Sequence, residues 1–129
     1  MSREYKFRAW LKKEKKMVEV EEINFIYEEI RFKDYKTPFT KPIERNVSFK
    51  DIELLQYTNR KDKNDVEIYE SAIVECEGEI CTVVWDDYYS TYALYCKEFG
   101  YDNLGDFESK YLEVIGNIYE NPELLGGQR

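Results

Sequence analysis

Apolar residues recur at a period of two in short runs. In residues 5–11, Tyr5, Phe7, Ala9 and Leu11 alternate with Lys6, Arg8 and Trp10. An extended backbone sends successive side chains to opposite faces, so this run predicts a strand with one apolar face. After a charged connection at residues 12–16, Met17-Val18-Glu19-Val20-Glu21 resumes the alternation, and the two runs predict an N-terminal hairpin. Further strands are expected within residues 47–57, over residues 68–76 and 80–85, at Tyr92-Ala93-Leu94-Tyr95-Cys96, and at Val114-Ile115-Gly116-Asn117-Ile118-Tyr119. Glu77-Gly78-Glu79 supplies a turn, and Pro122 ends the last ladder. Pro38 and Pro42 make residues 35–44 a loop, and residues 59–65 form a dense polar turn.

Two segments resist the period-two pattern. Residues 24–32 fit a strand or a short helix equally well. Leu104, Phe107 and Tyr111 are spaced i, i+3, i+7, which predicts a short helix over residues 102–112. About seven short strands with one or two short helices make the chain mainly β, as a small barrel or a rolled antiparallel sheet.

At 129 residues, 43% of them apolar, the chain suffices for one domain with its own core, and its 36% charged fraction does not signal disorder. No apolar export segment and no run of about 20 apolar residues is present, so a cytoplasmic, non-membrane protein is expected. Cys76, Cys81 and Cys96 lack zinc-type spacing and are expected to be reduced structural thiols.

The net charge of −8 is unevenly spread. Residues 1–64 hold 16 Lys and Arg against 12 Asp and Glu, giving +4, whereas residues 65–129 hold 3 against 15, giving −12. An acidic half of this kind repels nucleic acid, faces a basic surface, or serves only solubility. Attraction between the unlike halves of neighbouring copies also predicts self-association.

Catalytic apparatus is hard to find. The chain has no histidine, which removes Ser-His and Cys-His nucleophile pairs and most catalytic zinc sites. Its glycines form no phosphate cradle. Asp62-Lys63-Asn64-Asp65 begins like a calcium loop but has Glu67 where glycine is needed and Ile73 where a bidentate glutamate belongs. Glu108-Ser109-Lys110 matches half of a magnesium nuclease motif, a pattern common in any chain this charged. Glu75, Glu77 and Glu79 read as a solvated hairpin tip. No catalytic residue, metal site or cofactor is assigned, and a binding protein rather than an enzyme is expected.

Two surfaces are candidates for binding. Tyrosine offers large contact area at low entropic cost, and Tyr88, Tyr89, Tyr92, Tyr95 and Tyr101 crowd together among Asp86, Asp87, Glu98, Asp102, Asp106 and Glu108. These eleven residues form the expected protein-binding surface, although half-buried strand positions would also account for the tyrosines. Arg8, Trp10, Lys12, Lys13, Lys15 and Lys16 form the alternative, a nucleic-acid-binding patch, which the acidic half opposes and which also fits a charged hairpin turn.

Three stretches together resemble the YopX-like family of phage and prophage proteins. They are Lys6-Phe7-Arg8-Ala9-Trp10; Gln56-Tyr57-Thr58 through Lys61-Asp62-Lys63-Asn64 to Glu67-Ile68-Tyr69-Glu70 and Ile73-Val74; and Val114-Ile115-Gly116-Asn117-Ile118-Tyr119-Glu120-Asn121-Pro122-Glu123-Leu124-Leu125. The resemblance implies a phage-encoded protein of the bacterial cytoplasm, in one domain over residues 1–129. Its hairpin section covers about residues 1–45 and its SH3-type barrel section about residues 46–125. It implies no activity. Where the family has glycine, this chain has Asn59, Asp65 and Ser71, and Ala72 replaces an aspartate, so no family site is carried over. Asn and Asp can take the left-handed backbone that such turns need. The reading is a phage accessory protein binding a host or phage protein, with its acidic tyrosine-rich surface occupying the basic nucleic-acid groove of a nuclease, polymerase or defence protein.

Overall fold

The computed structural model describes residues 3–128. It divides into two compact units, Lys6–Gln56 and, together, Met1–Tyr5 and Tyr57–Arg129. Every strand pairing is antiparallel, and one sheet is curled into a half-barrel. Among the described residues there are twelve strands, and no helix is long and apolar enough to cross a membrane.

In the unit Lys6–Gln56, β1 (Phe7–Leu11) and β2 (Lys16–Glu19) form the expected hairpin, with Ala9 opposite Val18. Residues 24–32, undecided from periodicity, belong to a second hairpin. β3 (Glu22–Asn24) turns into β4 (Glu29–Asp34), which pairs with β5 (Ile43–Ser48). The Asn24 side-chain oxygen accepts from the Ile26 and Tyr27 amides, both at 2.9 Å, closing a turn that a helix would have to open. A 3-10 turn at Phe49–Asp51, capped by Ser48, leads into β6 (Ile52–Lys61). Ala9, Leu11, Val18, Ile30, Phe32 and Ile52 fill the core.

β6 continues into the second unit from Tyr57, where it pairs with β7 (Glu67–Tyr69). The five-stranded sheet follows, with β8 (Ala72–Cys76), β9 (Glu79–Asp86), β10 (Thr91–Cys96), β11 (Gly100–Asn103) and β12 (Leu112–Asn117) in the order β11-β10-β9-β8-β12. Ile68, Val74, Cys81, Val83, Leu94, Leu104 and Leu112 are among its core residues.

The helix expected over residues 102–112 does not form. Asp102 and Asn103 end β11, and two separate 3-10 turns, Leu104–Asp106 and Ser109–Tyr111, follow. Asn103 caps the Gly105 amide at 2.8 Å, and the Arg60 guanidinium takes the carbonyls of Leu104, at 3.0 Å, and Phe107. In an α-helix those carbonyls would accept from residues four positions on.

The polar turn also differs in extent, because β6 runs on to Lys61. Asp62, only 4% exposed, organises what remains. One carboxylate oxygen accepts from the amides of Asn64 (2.8 Å) and Val66 (2.9 Å), and the other accepts from Val114 (2.8 Å) in β12. The calcium-like start of this segment is thus a turn whose carboxylate is satisfied by backbone amides, two from the turn and one from β12.

Candidate surface of tyrosines and carboxylates

β9 and β10 join through the turn Asp87-Tyr88-Tyr89-Ser90, with Ser90 at φ +52°. Asp86 holds it, accepting from the amides of Tyr88 at 2.9 Å and Tyr89 at 3.3 Å. The turn leaves both tyrosines outside, Tyr88 85% and Tyr89 74% exposed, with their rings edge to face at 4.7 Å. Asp86 therefore presents the aromatic pair as well as adding charge.

Alternation along β10 then divides the remaining tyrosines. Tyr95 opposes Tyr101 across β10 and β11, with ring centroids 4.8 Å apart and Tyr101 exposed. Tyr92 turns to the other face, where it packs edge-on against Trp85 at 5.0 Å and on the core. Burial pushes its phenol up to about 12, with a smaller upward push from Glu70. Asp86, Tyr89, Thr91, Ala93, Tyr101, Asp102 and Asn103 line an open groove of about 270 Å³.

The structure thus brings Asp86, Tyr89, Tyr101 and Asp102 to one groove, with Asp87 and Tyr88 on the adjoining turn. Thr91, Ala93 and Asn103 complete the groove and carried no sequence signal, because they matter through cross-strand position. Glu98 follows the opposite end of β10, about 20 Å along a six-residue strand. Asp106 closes the first 3-10 turn, and Glu108 pairs with Lys110 at 3.5 Å.

The basic residues of the first hairpin are placed differently. Arg8 pairs with Glu19 at 3.1 Å, Lys12 with Glu53 at 3.6 Å, and Lys16 with Asp34 at 3.2 Å. Lys13 and Lys15 are exposed on the β1–β2 turn, while Trp10 is half-buried opposite Met17 and Glu53. The unit Lys6–Gln56 holds 12 Lys and Arg against 10 Asp and Glu, a net +2. The other unit holds 7 against 17, a net −10.

A second cavity, of about 310 Å³, gathers all three cysteines with Glu79, Leu94, Phe99 and Phe107 among its lining. The three thiols are free and buried. Tyr95 opposes Thr82, so the next antiparallel pair sets Cys96 beside Cys81. The Cys96 thiol donates to Glu98 Oε2 at 3.1 Å, which holds the Glu98 carboxyl below its ordinary range. Burial, then the neighbouring Cys96, pushes the Cys81 thiol up to about 12.

Sequence reasoning also missed an apolar turn. Phe25, Ile26 and Tyr27 are all exposed at the β3–β4 connection, with Phe25 edge-on to Phe49 at 6.1 Å. Three consecutive large apolar residues between Asn24 and Glu28 were the available signal.

These features define a mainly β protein of antiparallel sheets with a tyrosine- and carboxylate-lined groove in its acidic unit. The sequence pattern of the family described as YopX protein matches residues 6–126, and the chain belongs to that family. Protein EF1440 from Enterococcus faecalis, a crystal structure, is similar with 27% identity and a TM-score of 0.68, covering 96% of this chain and 99% of that one. The crystal structure of protein yopX from Bacillus subtilis shares the fold at 20% identity and a TM-score of 0.59, covering 95% and 96%. No curated protein matches the chain in sequence.

Proposed function

We propose that this YopX-family chain is a binding protein, not an enzyme, whose groove between the β9–β10 turn and β11 receives a basic protein surface. The observation that carries this reading is the exposure of Tyr88, Tyr89 and Tyr101 beside Asp86, Asp87 and Asp102. Tyrosine supplies contact area with two rotatable torsions to fix, while carboxylates steer a cationic partner and reject an anionic one. The net charge of −10 on the unit adds long-range attraction of the same sign.

The role that fits is that of a phage or prophage accessory protein in the bacterial cytoplasm, covering the basic nucleic-acid groove of a host or phage protein. The carboxylate pairing of Arg8, Lys12 and Lys16 favours this over direct binding of nucleic acid by the first hairpin. The test replaces Tyr89 or Tyr101 with a photo-crosslinking residue in bacterial cells and identifies the captured proteins. A partner with a basic surface is expected, lost when Asp86, Asp87 and Asp102 become asparagine. An asparagine in place of Asp86 can still cap the turn, so the change removes charge and leaves the loop. Equal capture by the neutralised variant would overturn the reading.

A further inference from the structure

At the end of the sheet reached by residue 98, three potential metal ligands converge from positions far apart in the sequence. Glu79 opens β9, Cys96 ends β10, and Glu98 lies in the turn to β11. One ligand atom from each lies within 4.8 Å of the others. Cys96 Sγ stands 3.1 Å from Glu98 Oε2 and 3.8 Å from Glu79 Oε2. In a tetrahedral zinc site, bonds of about 2.3 Å to sulfur and about 2.1 Å to oxygen set the sulfur and oxygen ligands about 3.6 Å apart. The two observed separations straddle that value. The two sulfur–oxygen pairs therefore need adjustments of a few tenths of an ångström to about half an ångström, and the two glutamate oxygens, within 4.8 Å of each other, close toward the roughly 3.4 Å of such a site by side-chain rotation.

The surroundings also suit an ion. Cys96 is buried, Glu79 half-buried and Glu98 exposed, so the cluster has a dry side and an open side. It adjoins the cavity of about 310 Å³ that Cys76 and Cys81 also line, leaving room for a fourth ligand. A thiolate beside two carboxylates selects a borderline cation such as zinc over magnesium or calcium, which take oxygen ligands only. One thiolate and two carboxylates would more than neutralise a dication.

We propose that Glu79, Cys96 and Glu98 form a binding site for Zn²⁺ or a cation of like chemistry, tying the β9 start to the β10–β11 turn. On binding, the Cys96 S–H bond ionises, its proton leaves to solvent, and the sulfur–metal bond replaces the thiol's hydrogen bond to Glu98. No redox change is involved. The site is independent of the proposed tyrosine groove.

The test is titration of reduced, tag-free protein with Co²⁺, followed by displacement with Zn²⁺. The absence of histidine from the chain keeps background binding low. One equivalent of cobalt should produce a near-ultraviolet thiolate-to-metal charge-transfer band, bleached by zinc and unaffected by magnesium in excess. Cys96→Ser should abolish the band, and Glu79→Gln with Glu98→Gln should weaken binding at least tenfold. The glutamate variant, altered only at partly or fully exposed side chains, keeps the test decisive if Cys96→Ser fails to fold. A wild-type protein without the band, a band that survives in folded Cys96→Ser, or unchanged affinity in the glutamine variant would each overturn the site.

Discussion

Arg60 and Leu104 are joined by a 3.0 Å hydrogen bond from the guanidinium to the backbone carbonyl, across 44 residues of sequence. The same guanidinium donates to the Phe107 carbonyl and reaches Ser109 Oγ at 3.5 Å. One side chain on β6 thus fixes the two 3-10 turns that link β11, a wall of the tyrosine groove, to β12. Hydrogen bonds from a charged donor contribute about 1.5–3 kcal/mol each. Arg60→Ala is expected to destabilise by about 2–4 kcal/mol in urea unfolding. Lysine should recover less than half, because its single ammonium cannot span both carbonyls in the fork geometry. Equal stability of Arg60→Ala and wild type would refute this role.

That bond also explains the misread helix. Leu104, Phe107 and Tyr111 have helical spacing, yet the competitor for the local carbonyls sits in another strand, where no window of 102–112 contains it. The β1–β2 and β8–β9 hairpins were legible because their alternation and turns are local. Tyr88 and Tyr89 were legible only as members of a tyrosine-rich surface; their exposure comes from the Asp86-held turn, which leaves them nowhere to pack. Ala93 and Asn103 in the groove, and Glu79 beside Cys96, depend on strand register, which the sequence does not display residue by residue.

Gly116 marks a close approach within the Gly-Asn-Ile-Tyr-Glu-Asn segment. A Cβ placed there would stand 2.4 Å from Asn121 Oδ1 and 2.9 Å from Asn121 Cβ. Asn121 cannot simply swing away, because its Oδ1 accepts from the Asn117 amide at 3.1 Å. Gly116→Ala should cost about 1–3 kcal/mol through overpacking and the lost hydrogen bond. Combining it with Asn121→Ala should be less than additive, since the second change removes the nearer Oδ1 and Cγ contacts and leaves only the one to Cβ. Additive midpoints in a double-mutant cycle would rule out this contact as the cause.

The three glycine replacements noted against the family pattern share one backbone conformation: Asn59, Asp65 and Ser71 lie at φ +67°, +66° and +69°. Left-handed geometry costs an ordinary L-residue about 1–2 kcal/mol, less for Asn and Asp. Glycine gives back about 0.5–1 kcal/mol through the entropy of the unfolded chain. Ser71→Gly should therefore stabilise by about 0.5–1 kcal/mol, keeping its backbone bonds to Val83 (2.8 Å) and Ile118 (3.0 Å). Asn59→Gly should not stabilise, because the Asn59 side chain bonds the Glu4 amide at 2.8 Å and the Glu4 carbonyl at 3.0 Å. Denaturant midpoints compare them directly, and a Ser71→Gly midpoint at or below wild type would contradict the strain assignment.

In the unit Lys6–Gln56, Arg45 binds two carboxylates, Glu14 and Asp34, and stacks over Phe32 at 5.1 Å. The Arg45 hydrogen bond, with that of Lys16 next, holds the Asp34 carboxyl below its ordinary range. Arg45 does the same for Glu14. A depressed folded-state value means the unfolded chain takes up protons first as pH falls. The stabilisation is thus fully present above the unfolded carboxyl range of about 4, and fades as pH drops through the lower folded values. Asp34→Asn should be destabilising at pH 7, with the gap to wild type closing below about pH 3. Urea midpoints measured across about pH 2–7 check the sign: a gap that widens on acidification would place the effect elsewhere.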